Sequence, residues 1–170
     1  MIEIEEKYLP DKIEKRCKWE REFIIYQWYS ERNIEGSEKY KIIFDLDKLS
    51  WKFVKIRKSN RGIGVAEKQI TYLTKEDLDI EKLKEYPFVM KRRSIKGNIF
   101  LDKFIYSNEL CEYLLEIEYE DQIHELPEIS GVKIGKNVTA DERYLNKNMT
   151  IAFSDEAARE LQTMLKLFEI

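Results

Sequence analysis

Two stretches decide how this chain is read: Ile2-Glu3-Ile4-Glu5-Glu6-Lys7 at one end and Leu115-Glu116-Ile117-Glu118-Tyr119 toward the other. In both, charged and apolar residues alternate at period two, the spacing that sends successive side chains to opposite faces of a β-strand. Glu3, Glu5 and Lys7 share one face with Ile2 and Ile4 on the other; Glu116 and Glu118 likewise oppose Leu115, Ile117 and Tyr119. Six further stretches carry strand signals, at 23–29, 39–46, 50–58, 64–73, 88–95 and 99–105. Turn-forming residues separate them, notably Glu35-Gly36-Ser37, Asn60-Arg61-Gly62 and Lys96-Gly97-Asn98, the last reading as a tight hairpin.

Helices are expected at three places. The first spans 10–22, the second starts from a Thr74 cap with Glu76 and Asp77 in its first turn, and the third follows Ser154. In the third, Ala158, Leu161, Leu165 and Phe168 form one apolar stripe, read as core packing or as a plug against the sheet. About eight short strands with few helices imply a sandwich or a closed antiparallel barrel. Charge placement favours the barrel: a polar lumen takes the charged faces inward while the apolar faces are covered from outside. The expected fold is therefore mainly β (α+β), a closed antiparallel eight-stranded barrel with peripheral helices, in a single domain over residues 1–170.

Composition removes several function classes. The formal charge of -3, from 33 acidic and 30 basic residues, provides no global field for nucleic acid, so any anion site must be a local concentration of positive charge. No basic segment followed by an apolar run opens the chain, and no run of about 18 apolar residues occurs, so neither export nor membrane spanning is expected. Cys17 and Cys111 suit reduced thiols of a cytoplasmic protein, and His124, the single histidine, receives no role. Composition leaves a homodimer open.

The charged faces carry the chemistry. Glu3, Glu5, Glu116 and Glu118 supply acids, joined by Glu67 and Asp102; Lys7, Lys41, Lys55, Arg57, Lys91 and Arg93 supply bases. Clustered carboxylates suit a hard cation such as Mg²⁺ or Mn²⁺, which takes oxygen ligands and shares its shell with phosphate. Facing lysines and arginines would neutralise the remaining phosphate oxygens. Together these are the requirements for phosphoryl transfer, in which positioning and charge neutralisation supply most of the catalysis.

The array resembles the CYTH superfamily, the triphosphate tunnel metalloenzymes. Glu3, Glu5 and Lys7 match the family's N-terminal Glu-x-Glu-x-Lys; Lys91-Arg92-Arg93 looks like its Lys-x-Arg, and Glu116 and Glu118 match its late Glu-x-Glu. The stretch from Trp51 to Ser59 resembles the strand that ends in a basic residue, Asp102 takes the acidic position of the next hairpin, and the Val138 to Asn146 segment resembles Val-Thr-x-Asp-x-Arg-Tyr-x-Asn. The resemblance implies a small-molecule triphosphate as ligand and metal-dependent hydrolysis of its terminal phosphoanhydride, with inorganic triphosphate first. Thiamine triphosphatase, class IV adenylyl cyclase and non-catalytic binding of nucleotide or polyphosphate are the alternatives.

On that reading Glu3, Glu5, Glu116 and Glu118 hold metal, while Lys7, Lys41, Lys55, Arg57, Lys91 and Arg93 grip phosphate. Glu5, Glu67 and Lys91 are the expected catalytic groups. The loop from Arg143 to Asn146 is expected to close one barrel end. Three positions depart from the family pattern: Ile43 where a second base follows Lys41, Gln69 after Glu67, and Phe100 before Asp102. Trp19, Trp28 and Trp51 are read as outer packing, and Gly62 and Gly64 as turn residues.

Overall fold

Alternation at period two governs nearly the whole chain in the computed structural model, which describes residues 1–120 and 125–169. The strands are β1 (Ile2–Ile13), β2 (Arg21–Asn33), β3 (Gly36–Asp45), β4 (Ser50–Gly62), β5 (Val65–Leu73), β6 (Phe88–Lys96), β7 (Ile99–Tyr106), β8 (Tyr113–Tyr119) and β9 (Val132–Asn137). Their order is β5-β4-β3-β2-β6-β7-β8-β1-β9, and an additional β5–β1 pairing closes the first eight into an antiparallel barrel. Closure runs through β1. Residues Ile2 to Ile4 pair with Glu67 to Val65 of β5, and Ile4 to Tyr8 pair with Tyr119 to Leu115 of β8.

One glycine permits that closure. At Gly64 the backbone takes φ +70° and its carbonyl accepts from Glu5 N at 2.8 Å. A Cβ there would lie 2.4 Å from Glu5 O, so a side chain would collide with the strand that seals the barrel.

The outer faces are apolar and covered. Tyr26, Trp28, Ile42, Phe44, Phe53 and Phe88 pack against Ala157, Ala158 and Leu161 of the helix α2 (Asp155–Leu167). The Ser154 side chain caps α2 by accepting from Ala157 N, and Asp155 and Glu156 lie at its positive end. Trp28 meets Phe153 edge-on at 5.3 Å, so this tryptophan is outer packing, as expected. A second cluster joins Tyr8, Ile99, Leu101, Leu115 and Ile117 to Val132 of β9.

The C-terminal helix therefore lies on the wall and plugs nothing. The plug is a third cluster, in which Val138, Tyr144 and Met149 meet Val89, Phe104 and Leu114.

Local expectations fail where tertiary pairing wins. No helix occupies 10–22: β1 continues to Ile13 because its later half pairs with β9, a short strand that the sequence reading omits. Ile13, Cys17 and Trp19 pack onto the same cluster as Val132 and Ile134. After Thr74 the expected helix splits into a 3-10 turn (Lys75–Asp77) and one turn of helix, α1 (Ile80–Leu83). Cys17 and Cys111 are free thiols, and His124 lies outside the described residues. Among the described residues no helix is long and apolar enough to cross a membrane.

Docking of α2 buries Ala157, Ala158 and Leu161 against the outer wall. Leu161→Ala, at a fully buried position, is expected to lower unfolding free energy by about 2–5 kcal/mol in urea titration.

Candidate functional site

The inner faces of the barrel converge on a cavity of about 90 Å³. β1 contributes Glu3, Glu5 and Lys7, and β8 contributes Glu116 and Glu118, because both pairs of ends keep the period-two register across Glu5–Glu118 and Lys7–Glu116. β6 supplies Lys91 and Arg93, and β3 supplies Lys39 and Lys41. The outward residues of β3 are Tyr40, Ile42 and Phe44, all packed on the α2 cluster. That apolar face leaves the lysines no direction but inward.

Lys39 corrects the sequence reading. The basic pair of β3 is Lys39-x-Lys41, and Ile43 follows the pair without replacing one of its members.

On β4 the register reverses the expected roles. Val54 and Ile56 are buried on the inner face, and Lys58 continues that face into the cavity. Lys55 and Arg57 therefore point outward, where Lys55 lies 3.8 Å and Arg57 3.5 Å from Glu38. Neither lines the cavity. The same parity removes Glu67 from β5: it pairs with Arg61 on the outer surface, while its neighbour Lys68 reaches the cavity. Gln69 shares the outward face with Glu67, so its substitution takes nothing from the lumen.

Most inward charges are paired. Asp102, fully buried, accepts from Arg93 Nε at 2.7 Å and from Arg93 NH2 at 2.8 Å, and lies 2.8 Å from Lys91 Nζ. Glu116 accepts from Lys7 at 3.0 Å and from Arg93 at 3.2 Å. Glu3 accepts from Lys58 and, at 3.2 Å, from Lys68. Phe100 lies beneath the Arg93 guanidinium, 4.9 Å from its carbon to the ring centre, so it supports the base where an acid was the family's alternative.

Two lysines stand outside this pairing. Among the described residues Lys39 and Lys41 have no carboxylate within ion-pair distance, although both are about nine-tenths buried; Lys39 instead faces the Tyr29 ring at 5.7 Å. Burial, then Lys58, Lys41 and Lys91, hold the Lys39 ammonium well below the ordinary lysine range. Burial, then Arg93 and Lys91, do the same to Lys41. Among the described residues that line the cavity, cations thus outnumber carboxylates eight to four, with Asp102 behind Lys91 and Arg93 as a further acid. The excess calls for an anion.

Carboxylates gather at one side. Glu3, Glu5 and Glu118 each offer an oxygen, and the three oxygens lie within 4.8 Å of one another. Burial and then the neighbouring Glu3 push the Glu118 carboxyl up. All-oxygen donors of this kind fit Mg²⁺ or Mn²⁺. Glu116 does not join the trio; it is engaged by Lys7 and Arg93.

Asn146 also lines the cavity, from the loop that carries the plug. Lys39, Lys58, Lys68, Asn146 and Lys147 are among the cavity residues that sequence reasoning missed.

Similarity searches bear on the fold. No family model matches the chain, and no curated protein matches it. Among solved structures it is similar to the PH1819 protein of Pyrococcus horikoshii OT3, with 14% sequence identity and a TM-score of 0.50, over 99% of this chain and 90% of that one. The likeness extends the barrel architecture to a solved structure.

Burial alone would raise the Glu3 carboxyl; Lys58 and then Lys68 outweigh it and bring it down to about 2. An acid depressed in the fold stabilises the native state above its unfolded pKa and loses that contribution as pH falls through the folded value. Urea unfolding is therefore expected to show a loss of stability between about pH 4.5 and about 2. Glu3→Gln should flatten this limb and lower stability at neutral pH, since Lys58 and Lys68 lose their anion; an unchanged acid limb contradicts the assignment.

Proposed function

We propose that this chain is a metal-dependent triphosphatase of the CYTH type, acting on the terminal phosphoanhydride of inorganic triphosphate. The observation that carries the reading is the juxtaposition in one cavity of an unpaired lysine pair, Lys39 and Lys41, with the oxygen trio Glu3, Glu5 and Glu118. A polyphosphate chain complexed to a divalent cation has complementary charge at both places. The motif order along the chain supports the same reading independently of the cavity.

The residues divide the work by their present partners. Lys39 and Lys41 gain in an anion the counter-charge they lack, which opposes the burial that depresses them. Lys58 and Lys68 exchange Glu3 for phosphate oxygens, which frees Glu3 to join Glu5 and Glu118 around Mg²⁺ or Mn²⁺. The cation supplies charge neutralisation on the phosphoryl oxygens and lowers the pKa of water in its shell. Lys7, Lys91 and Arg93 remain fixed by Glu116 and Asp102, and so present their outer N–H groups at defined positions. Seven of the eight cavity cations are lysines, compact point charges that address phosphate oxygens one by one, where arginine would grip a pair. Among the described residues that line the cavity the one aromatic is Tyr29, which Lys39 covers, and this favours inorganic triphosphate over a nucleotide.

Phosphate release from inorganic triphosphate, ATP and thiamine triphosphate, each with Mg²⁺, Mn²⁺ or chelator, tests the proposal. Release is expected with metal, fastest from inorganic triphosphate. Lys41→Ala and Glu118→Gln remove groups without an ion-pair partner among the described residues, so both should fold while losing about 10²–10³ in rate, or about 2.7–4 kcal/mol. Ligand-induced stabilisation without release would move the protein to a non-catalytic binder. Wild-type rates in both variants would remove the cavity from the chemistry.

A further inference from the structure

Asn146 has a feature that barrel closure does not account for. It sits in the 3-10 turn Asn146–Asn148, beside the apolar plug formed by Tyr144 and Met149, and is 8% exposed. Its Oδ1 accepts from Lys91 Nζ at 2.7 Å and from Gln27 Nε2 at 3.0 Å. A lysine ammonium only donates, so the amide atom facing Lys91 must be the oxygen, and this settles which way the amide is turned. Its Nδ2 is thereby left buried with no hydrogen-bond partner among the described residues.

An unsatisfied buried donor costs about 1–3 kcal/mol. The acceptor oxygen accounts for the contacts to Lys91 and Gln27, but nothing in barrel closure requires the donor end of the amide. Gln27 strengthens the argument from the other side: its Nε2 also donates to Tyr29 Oη at 3.0 Å, so Gln27 and Lys91 together clamp the Asn146 oxygen. The amide is held through its oxygen from two directions, while the N–H₂ end of this cavity-lining residue is buried without a partner among the described residues.

We propose that Asn146 is a ligand-contacting residue, whose Nδ2 donates to an oxygen of the polyphosphate anion while its Oδ1 keeps Lys91 in position. The inference rests on the polyphosphate reading of the cavity. A neutral donor suits this place for a physical reason: it adds a directed hydrogen bond without adding to the mutual repulsion of Lys39, Lys41, Lys91 and Arg93. It reads where an oxygen sits, whereas the lysines respond chiefly to charge. Asn146 thus sets the register of the phosphate chain in the tunnel, and the ligand's arrival satisfies a donor that belongs to the loop closing the barrel.

The test uses the whole wild-type chain, labelled with ¹⁵N, titrated with inorganic triphosphate and Mg²⁺. The Asn146 side-chain amide signal is assigned by its absence in Asn146→Asp. That variant keeps an oxygen facing Lys91 and Gln27, replaces the donor with a second acceptor oxygen and adds a negative charge, so the Nδ2 proton shift of the wild-type chain, and not the loss of affinity alone, is the diagnostic readout. At least one Nδ2 proton is expected to move downfield with the same midpoint as the backbone amides of Lys39 and Lys41. Asn146→Asp should melt close to wild type and bind triphosphate about 10- to 100-fold more weakly. The proposal is overturned if the Lys39 and Lys41 amides titrate while Nδ2 does not, or if Asn146→Asp binds as tightly as wild type. If none of these signals responds, the polyphosphate reading falls and takes this inference with it.

Discussion

The ion pairs of Asp102 with Lys91 and Arg93, and of Glu116 with Lys7, are what permit a charged lumen inside a protein of this size. Removing an ion from water is expensive, and a buried charge persists only when a partner at close range and good hydrogen-bond geometry offset that cost. Asp102 meets both conditions with a two-pronged contact to Arg93 and a third contact to Lys91. Burial would raise its carboxyl, and Arg93 followed by Lys91 overcomes this and holds it low. The β6 bases are thereby held in position by Asp102.

The remaining charges are left incompletely matched, and function is argued from that mismatch. Among the described residues Lys39 and Lys41 are buried without counter-ions, Glu118 is crowded by acids, and Asn146 carries an orphaned donor. Each is unfavourable, and the proposed occupant, an anion rich in oxygen that brings a divalent cation with it, would relieve all of them. The fold bears these costs through its outer wall, where Trp28, Phe44, Phe88 and Leu161 are fully buried. Stability and site are thus placed on opposite faces of the same strands.

Much of this was legible in the sequence because period two is a strong signal when two faces differ so sharply. Glu3, Glu5, Lys7, Glu116 and Glu118 fall inward as their alternation implies. The errors on β4 and β5 are errors of parity. Trp51 and Phe53 were the guide: both pack outward on the α2 cluster, and counting by two from them carries Lys55 and Arg57 outward and Lys58 inward. Tyr40, Ile42 and Phe44 identify Lys39 as inward by the same count. Lys68 needed the cross-strand register opposite Lys58, which no single strand contains. β9 and the extension of β1 depend on a pairing between residues more than a hundred positions apart, and Asn146 on a loop folded back over the barrel; local pattern carries neither.

The account stands on where the two ions lie. A crystal structure with inorganic triphosphate and Mn²⁺, with the metal located by its anomalous scattering, addresses this directly. The account predicts a manganese peak between Glu3, Glu5 and Glu118 and a phosphate chain alongside Lys39, Lys41 and Asn146, with Lys58 and Lys68 turned from Glu3 toward it. Triphosphate bound only on the outer wall, or a lumen whose Lys58–Glu3 pair is unchanged at saturating ligand, would contradict it.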